Sequence, residues 1–201
     1  MIKLIFMNSQ EILLLCTFFA LGSIPFAILV GLIFFQTDVR NQGSGNPGAT
    51  NVARILGKKA GLSVLFLDAA KGFTPVLYWS LHVDYTSSIL AGFAAVLGHC
   101  FSPFLKGKGG KGVATLLGIS LAFDWLLALS SIAAFVLTTL LTKIVALGSL
   151  IAIFTFFILG IFIFGHQEIY FLIFGFSSML LTLYTHRKNL QRILDGSENK
   201  I

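Results

Sequence analysis

The 201-residue chain reads as an all-α membrane protein of about seven transmembrane helices, and three features predict this. Apolar residues make up 56% of the chain and charged residues 11%, against about 45–50% and about 25% in soluble domains. The mean hydropathy of +0.91 is too high for these residues to be hidden in one soluble core. Lys and Arg alternate along the chain, present in every second inter-span turn and absent from those between.

A crossing helix needs about 20 mainly apolar residues. Such stretches fall at 11–34, 61–82, 87–105, 112–123, 125–142, 145–164 and 168–186. The first follows only Lys3 and no small-residue cleavage site ends it, so it is expected to be retained rather than removed as a signal peptide. The second holds Asp68 and Lys71, three apart, a spacing that permits a mutual ion pair at membrane depth. The third carries His99, read as a hydrogen-bonded packing residue. The fourth is short for a full crossing. It either starts inside the membrane or stands against thinned lipid. Cys16 and Cys100 fall within the first and third spans and are expected as small buried residues rather than a disulfide. Nowhere do Cys and His take metal-ligand spacing, so no metal or cofactor is expected.

The basic residues orient these spans. Arg40, Arg54, Lys58 and Lys59 follow the first; Lys106, Lys108 and Lys111 follow the third. Lys143 follows the fifth, and Arg187, Lys188, Arg192 and Lys200 follow the seventh. The turns between hold Asp84, Asp124 and Glu168 and no Lys or Arg. Cytoplasmic turns carry the Lys/Arg excess, which places the N-terminus outside and the C-terminus in the cytoplasm. The net charge of +6 therefore concentrates on one face, where it also attracts anionic membrane lipid. No nucleic-acid motif accompanies it, and that class of partner is discounted. With no internal repeat and no long linker, residues 1–201 form a single multi-pass domain on this reading.

Three cytoplasm-facing segments carry chemistry. Ser44-Gly-Asn-Pro-Gly-Ala-Thr-Asn-Val-Ala-Arg54 has a Pro-Gly turn followed by residues able to start a short helix. Thr50 and Arg54 would share one helical face, and a helix start offers N–H groups to an anion. A polar turn with ordinary capping explains the same residues. Lys106-Gly-Lys-Gly-Gly-Lys-Gly-Val-Ala-Thr115 is more pointed, because four glycines clear space while three lysines supply charge. It is not a nucleotide P-loop, since Gly112 rather than Ser or Thr follows Lys111. A cation about 4 Å from a phosphate charge gains about 4 kcal/mol at an effective dielectric near 20. The third segment, Thr185-His-Arg-Lys-Asn-Leu-Gln-Arg192, offers His186 and Asn189 three apart, or serves only as a basic stop signal.

Together these segments resemble the bacterial integral-membrane glycerol-3-phosphate acyltransferases that use acyl phosphate as donor. The resemblance also includes Asp68-Ala-Ala-Lys-Gly72 and Gly98-His-Cys-Phe101, and it runs in order through nearly the whole chain. It implies acyl transfer from acyl phosphate to the 1-hydroxyl of sn-glycerol 3-phosphate, giving lysophosphatidate and inorganic phosphate. By motif, Ser44, Arg54, Lys111, His186 and Asn189 look like contacts to glycerol phosphate. Asn46, Gly48, Thr50, Asn51, Gly109 and Gly110 look like the cradle for the acyl-phosphate group, and Lys108 could serve either. The implied location is the bacterial cytoplasmic membrane, with the site facing the cytoplasm and an acyl-phosphate-forming enzyme as a candidate partner. The chain departs from the family at Gly107, where an aromatic residue is usual, and at Ala146, Thr185 and Lys188. The competing reading is a membrane transporter for a phosphate-bearing anion.

Overall fold

The computed structural model describes residues 7–200, and every regular element among them is helical. In chain order these are α1 (Ser9–Ser23), α2 (Phe26–Phe35), α3 (Ala49–Leu56), α4 (Lys58–His82), α5 (Ser88–Cys100), α6 (Val113–Phe123), α7 (Trp125–Thr142), α8 (Val145–Phe162), α9 (Ile169–Thr185) and α10 (Arg187–Leu194). Short 3₁₀ turns lie at Val39–Asn41 and Pro103–Leu105. Five stretches among the described residues are long and apolar enough to cross a membrane, and a sixth if α9 and α10 count as one span bent by 61°. The chain divides into two compact units, residues 1–119 and 120–201.

The expected first span is two helices. Ile24 is extended (φ −60°, ψ 120°) and Pro25 follows, which has no N–H to continue the ladder. Within residues 1–119 the helices approach closely through glycines, the packing device of membrane helices. A Cβ at Gly22 would strike the backbone of Ala95, and one at Gly98 the backbone of Phe19, joining α1 to α5. Gly72 meets the Thr115 carbonyl and Gly118 the Ala69 carbonyl, joining α4 to α6. Val39, Val52, Ala60 and Val64 form one buried cluster with Ala27, Ile28 and Val30. At the other end, Trp79 Nε1 donates to Ser87 Oγ at 2.9 Å.

Residues 120–201 are built on the α7–α8 hairpin, whose turn residue Lys143 is left-handed (φ 61°). Gly160 lies against Phe171 and Gly175 against Phe157, joining α8 to α9. Phe156 packs on Phe171 and Phe174 with ring centroids 5.6 and 6.2 Å apart. Asp124 caps α7 by accepting from Leu127 N–H at 3.0 Å, and its other oxygen meets His166 Nε2 at 2.9 Å. The expectation for Cys100 holds, since it is buried. Cys16, by contrast, lies exposed on α1, because it falls on that helix's outward face; both are free thiols.

Candidate active site

The first glycine segment is folded around a single amide. Asn51, only 1% exposed, accepts the Ser44 N–H at 2.8 Å through Oδ1. Its Nδ2 donates to the carbonyls of Val39 (2.9 Å) and Gln42 (3.1 Å). Gly43 and Gly45 are left-handed (φ 60° and 69°), which lets the chain turn this tightly, and a Cβ on Gly43 would run into Asn51 Oδ1. Upstream, Asp38 accepts from Arg40 N–H and pairs with its guanidinium at 2.6 Å, and that partner holds the Asp38 carboxyl below its ordinary range. α3 then starts at Ala49 with no side-chain cap. Ser44, Thr50 and Arg54 are exposed there, while Asn46 and Gly48 are half-buried. Asn46 N–H also reaches Ser44 Oγ at 3.4 Å.

The second segment leaves α5 through the Pro103–Leu105 turn, with Lys106 and Gly107 both left-handed (φ 52° and 75°). Ser102 Oγ donates to the Ser23 carbonyl at 2.7 Å. Leu105 packs against the cluster that contains Val39 and Val52. Both glycine segments of this unit thus rise from one hydrophobic anchor. Gly109 N–H donates to Cys100 O at 3.0 Å and Gly110 N–H to His99 O at 3.1 Å. These N–H groups cap the end of α5, so the two glycines provide close approach rather than outward-pointing donors. The helix start that could offer donors lies one step further on. α6 begins at Val113, and the first-turn N–H groups of a helix have no acceptor within it. Lys108 is exposed and Lys111 half-buried beside that start.

The third segment bends at His186, which is 1% exposed. His186 Nδ1 lies 2.9 Å from the Thr182 carbonyl. A carbonyl only accepts, so Nδ1 carries the proton and Nε2 is the ring's acceptor when neutral. Asn189, 6% exposed, donates from Nδ2 to Glu198 Oε1 at 2.7 Å, and Arg192 Nε donates to Glu198 Oε2 at 2.7 Å. Sequence reading missed Glu198. Left-handed Gly196 (φ 70°), which turns the tail back onto α10, was the available signal.

Behind the second segment lies a buried charge cluster. Lys71 Nζ sits 2.8 Å from Asp68 Oδ1, and each residue is 2% exposed, so the pairing expected from their spacing is formed. Lys71 Nζ also donates to the Ile24 carbonyl and lies 4.8 Å from the centre of the Phe26 ring. His99 Nδ1 is 3.5 Å from the same ammonium. Among the described residues no group of three or more His, Cys, Asp or Glu is placed to hold a metal ion.

A sequence model of the family described as glycerol-3-phosphate acyltransferase matches residues 12–196. The glycerol-3-phosphate acyltransferase of Fusobacterium nucleatum is 40% identical over 182 residues, covering 90% of this chain and 92% of that one. Glycerol-3-phosphate acyltransferase 2 of Bacillus anthracis is 43% identical over 194 residues, covering 96% and 100%. Among solved structures, the glycerol 3-phosphate form of PlsY (YgiH), an integral membrane glycerol 3-phosphate acyltransferase, superposes with a TM-score of 0.90 at 36% identity over 96% of each chain. Its lysophosphatidic acid form superposes at 0.88 and 34%, with the same coverage.

Proposed function

The chain belongs to the glycerol-3-phosphate acyltransferase family, and from that premise we propose that it transfers a fatty acyl group from acyl phosphate to the 1-hydroxyl of sn-glycerol 3-phosphate. The observation that carries this reading is the near full-length likeness to a protein solved in both a glycerol 3-phosphate form and a lysophosphatidic acid form, which are a substrate and a product of that reaction. A transporter would not need that pair. The three motif segments, each held by its own scaffold of buried bonds, support it further.

The chemistry asks for two anions to be held side by side, and positive charge with preorganised donors achieves this. The hydroxyl oxygen of glycerol 3-phosphate bonds to the acyl carbonyl carbon, the carbon–oxygen bond to phosphate breaks, and the departing phosphate takes the hydroxyl proton. Atoms and charge then balance with no protein nucleophile. The motif resemblance assigns Arg54, Lys111 and Ser44 to glycerol phosphate, and it assigns His186 and Asn189 of the third segment to the same substrate. Asn46, Gly48 and Thr50, with the first turn of α6, seat the acyl-phosphate group; Lys108 serves either anion. Asn51, Gly109 and Gly110 act one layer back, shaping the cradle, because their polar groups already bind the protein's own backbone.

On the same reading residues 1–201 are one multi-pass domain with seven spans, α6 the shortest, the N-terminus outside and the site facing the cytoplasm of a bacterial inner membrane. The Lys/Arg distribution supports that orientation. An acyl-phosphate-forming enzyme is the proposed supplier of the donor. Purified protein given palmitoyl phosphate and glycerol 3-phosphate should release phosphate and lysophosphatidate in equal amounts, with acyl-CoA and acyl carrier protein inactive. No product from palmitoyl phosphate would remove the proposed donor. Uptake of glycerol 3-phosphate into vesicles without turnover would favour the transporter.

A further inference from the structure

The buried Asp68–Lys71–His99 cluster lies outside the three motif segments, yet it touches one of them. His99 closes α5, and its carbonyl accepts the Gly110 N–H at 3.1 Å. A Cβ at Gly110 would meet His99 Nε2, and one at Gly109 would meet the His99 carbonyl. The imidazole is therefore the floor under Gly110, and the His99–Cys100 backbone is the floor under Gly109. On its other side the ring faces Lys71 Nζ at 3.5 Å through Nδ1. Nδ1 also lies 3.7 Å from Asp68 Oδ1, so one edge of the ring faces both members of the ion pair while Nε2 faces Gly110. Lys71 is itself fixed by Asp68 at 2.8 Å, by the Ile24 carbonyl and by the Phe26 ring.

Four groups holding one buried ammonium exceed what neutralising Asp68 requires. We propose that Asp68, Lys71 and His99 are positioning residues that fix the His99 ring, and through it the path of Gly109, Gly110 and Lys111, so that the substrate-facing part of this segment is set from inside the membrane span. The role is to place Lys111 and the start of α6; none of the three touches substrate. It rests on the proposed acyl transfer only for its kinetic readout.

The test compares His99→Ala with His99→Asn, whose short side-chain amide can still accept from Lys71, and adds the charge-neutral double variant Asp68→Asn/Lys71→Met. Two measurements are made on full-length purified protein. Amide hydrogen exchange over residues 106–112 needs no turnover. KM for glycerol 3-phosphate against kcat uses palmitoyl phosphate as donor. His99→Ala and the double variant should speed exchange at 106–112 by about tenfold, the loss of one fixed hydrogen-bonded contact, while α4 and α5 stay protected. KM should rise by a similar factor, and His99→Asn should recover most of both. Unchanged exchange at 106–112 in His99→Ala would overturn the proposal. So would loosening spread evenly over all helices, or His99→Asn behaving as His99→Ala. A wild-type protein that turns over no palmitoyl phosphate would count against the proposed reaction, and the exchange result would still decide this one.

Discussion

Asn51 Oδ1 accepts the backbone N–H of Ser44 at 2.8 Å, so a residue inside α3 determines where the preceding loop presents its serine. Asn51→Ala strands that N–H and two carbonyls at once. Leaving a buried group unsatisfied costs about 1–3 kcal/mol, so the thermal midpoint should fall by several degrees and kcat/KM by about 100-fold. Asn51→Asp keeps the acceptor and loses both donors, and it should fall in between. Thermal unfolding and steady-state kinetics on the two variants check the order.

Gly109→Ala and Gly110→Ala press a methyl into His99, whereas a Cβ at Gly107 finds nothing within 4 Å. The first two should lose most activity. Gly107→Ala should keep it and cost about 1 kcal/mol from its positive φ of 75°. A Gly107→Ala variant as inactive as Gly110→Ala would show that backbone conformation, not space, limits this turn.

Lys106 adopts φ 52° and is exposed, while Lys111 sits half-buried beside the start of α6. Lys106→Gly should gain up to about 1 kcal/mol of stability with activity intact. Lys111→Ala should lower kcat/KM at least 100-fold, about the 4 kcal/mol attraction to a phosphate less what solvent restores. Full turnover by Lys111→Ala with both substrates would remove it from the site.

Asp124 joins the start of α7 to His166. Asp124→Ala removes a helix cap and a hydrogen-bond partner together, for about 1–3 kcal/mol. Unfolding should shift down while KM for glycerol 3-phosphate stays put.

The Asp38–Arg40 pair carries a pH signature. Arg40 lowers the Asp38 pKa, so the pair's contribution is fully present above the unfolded carboxyl value near 3.9 and is lost as pH falls through the depressed folded value. The pair is exposed, and its worth is at most about 1 kcal/mol. Asp38→Asn should therefore cost a little stability at pH 7 and progressively less on acidification below about pH 4, read as the difference in unfolding midpoint from wild type.

Much of this was legible beforehand. Hydropathy placed α4 to α9 within about five residues at each end, because long apolar runs broken by polar or glycine-rich turns mark where each helix starts and stops. The i,i+3 spacing of Asp68 and Lys71 announced their ion pair. The break at Ile24 was signalled by Pro25 yet hidden by uniform hydrophobicity on both sides. What could not be read was tertiary: that Gly109 and Gly110 cap α5, that His99 joins the Lys71 cluster, and that Glu198 folds back to Asn189. Such pairings depend on docking between distant stretches, and neither composition nor periodicity records them.

The interruption at Ile24 has a biosynthetic corollary. Its carbonyl accepts from the Phe26 N–H at 3.1 Å and also from Lys71, 47 positions downstream. A lone ammonium at membrane depth is expensive. Ile24 and the Phe26 ring are already made when Lys71 leaves the ribosome, so the first span offers that charge a ready seat as α4 is released beside it.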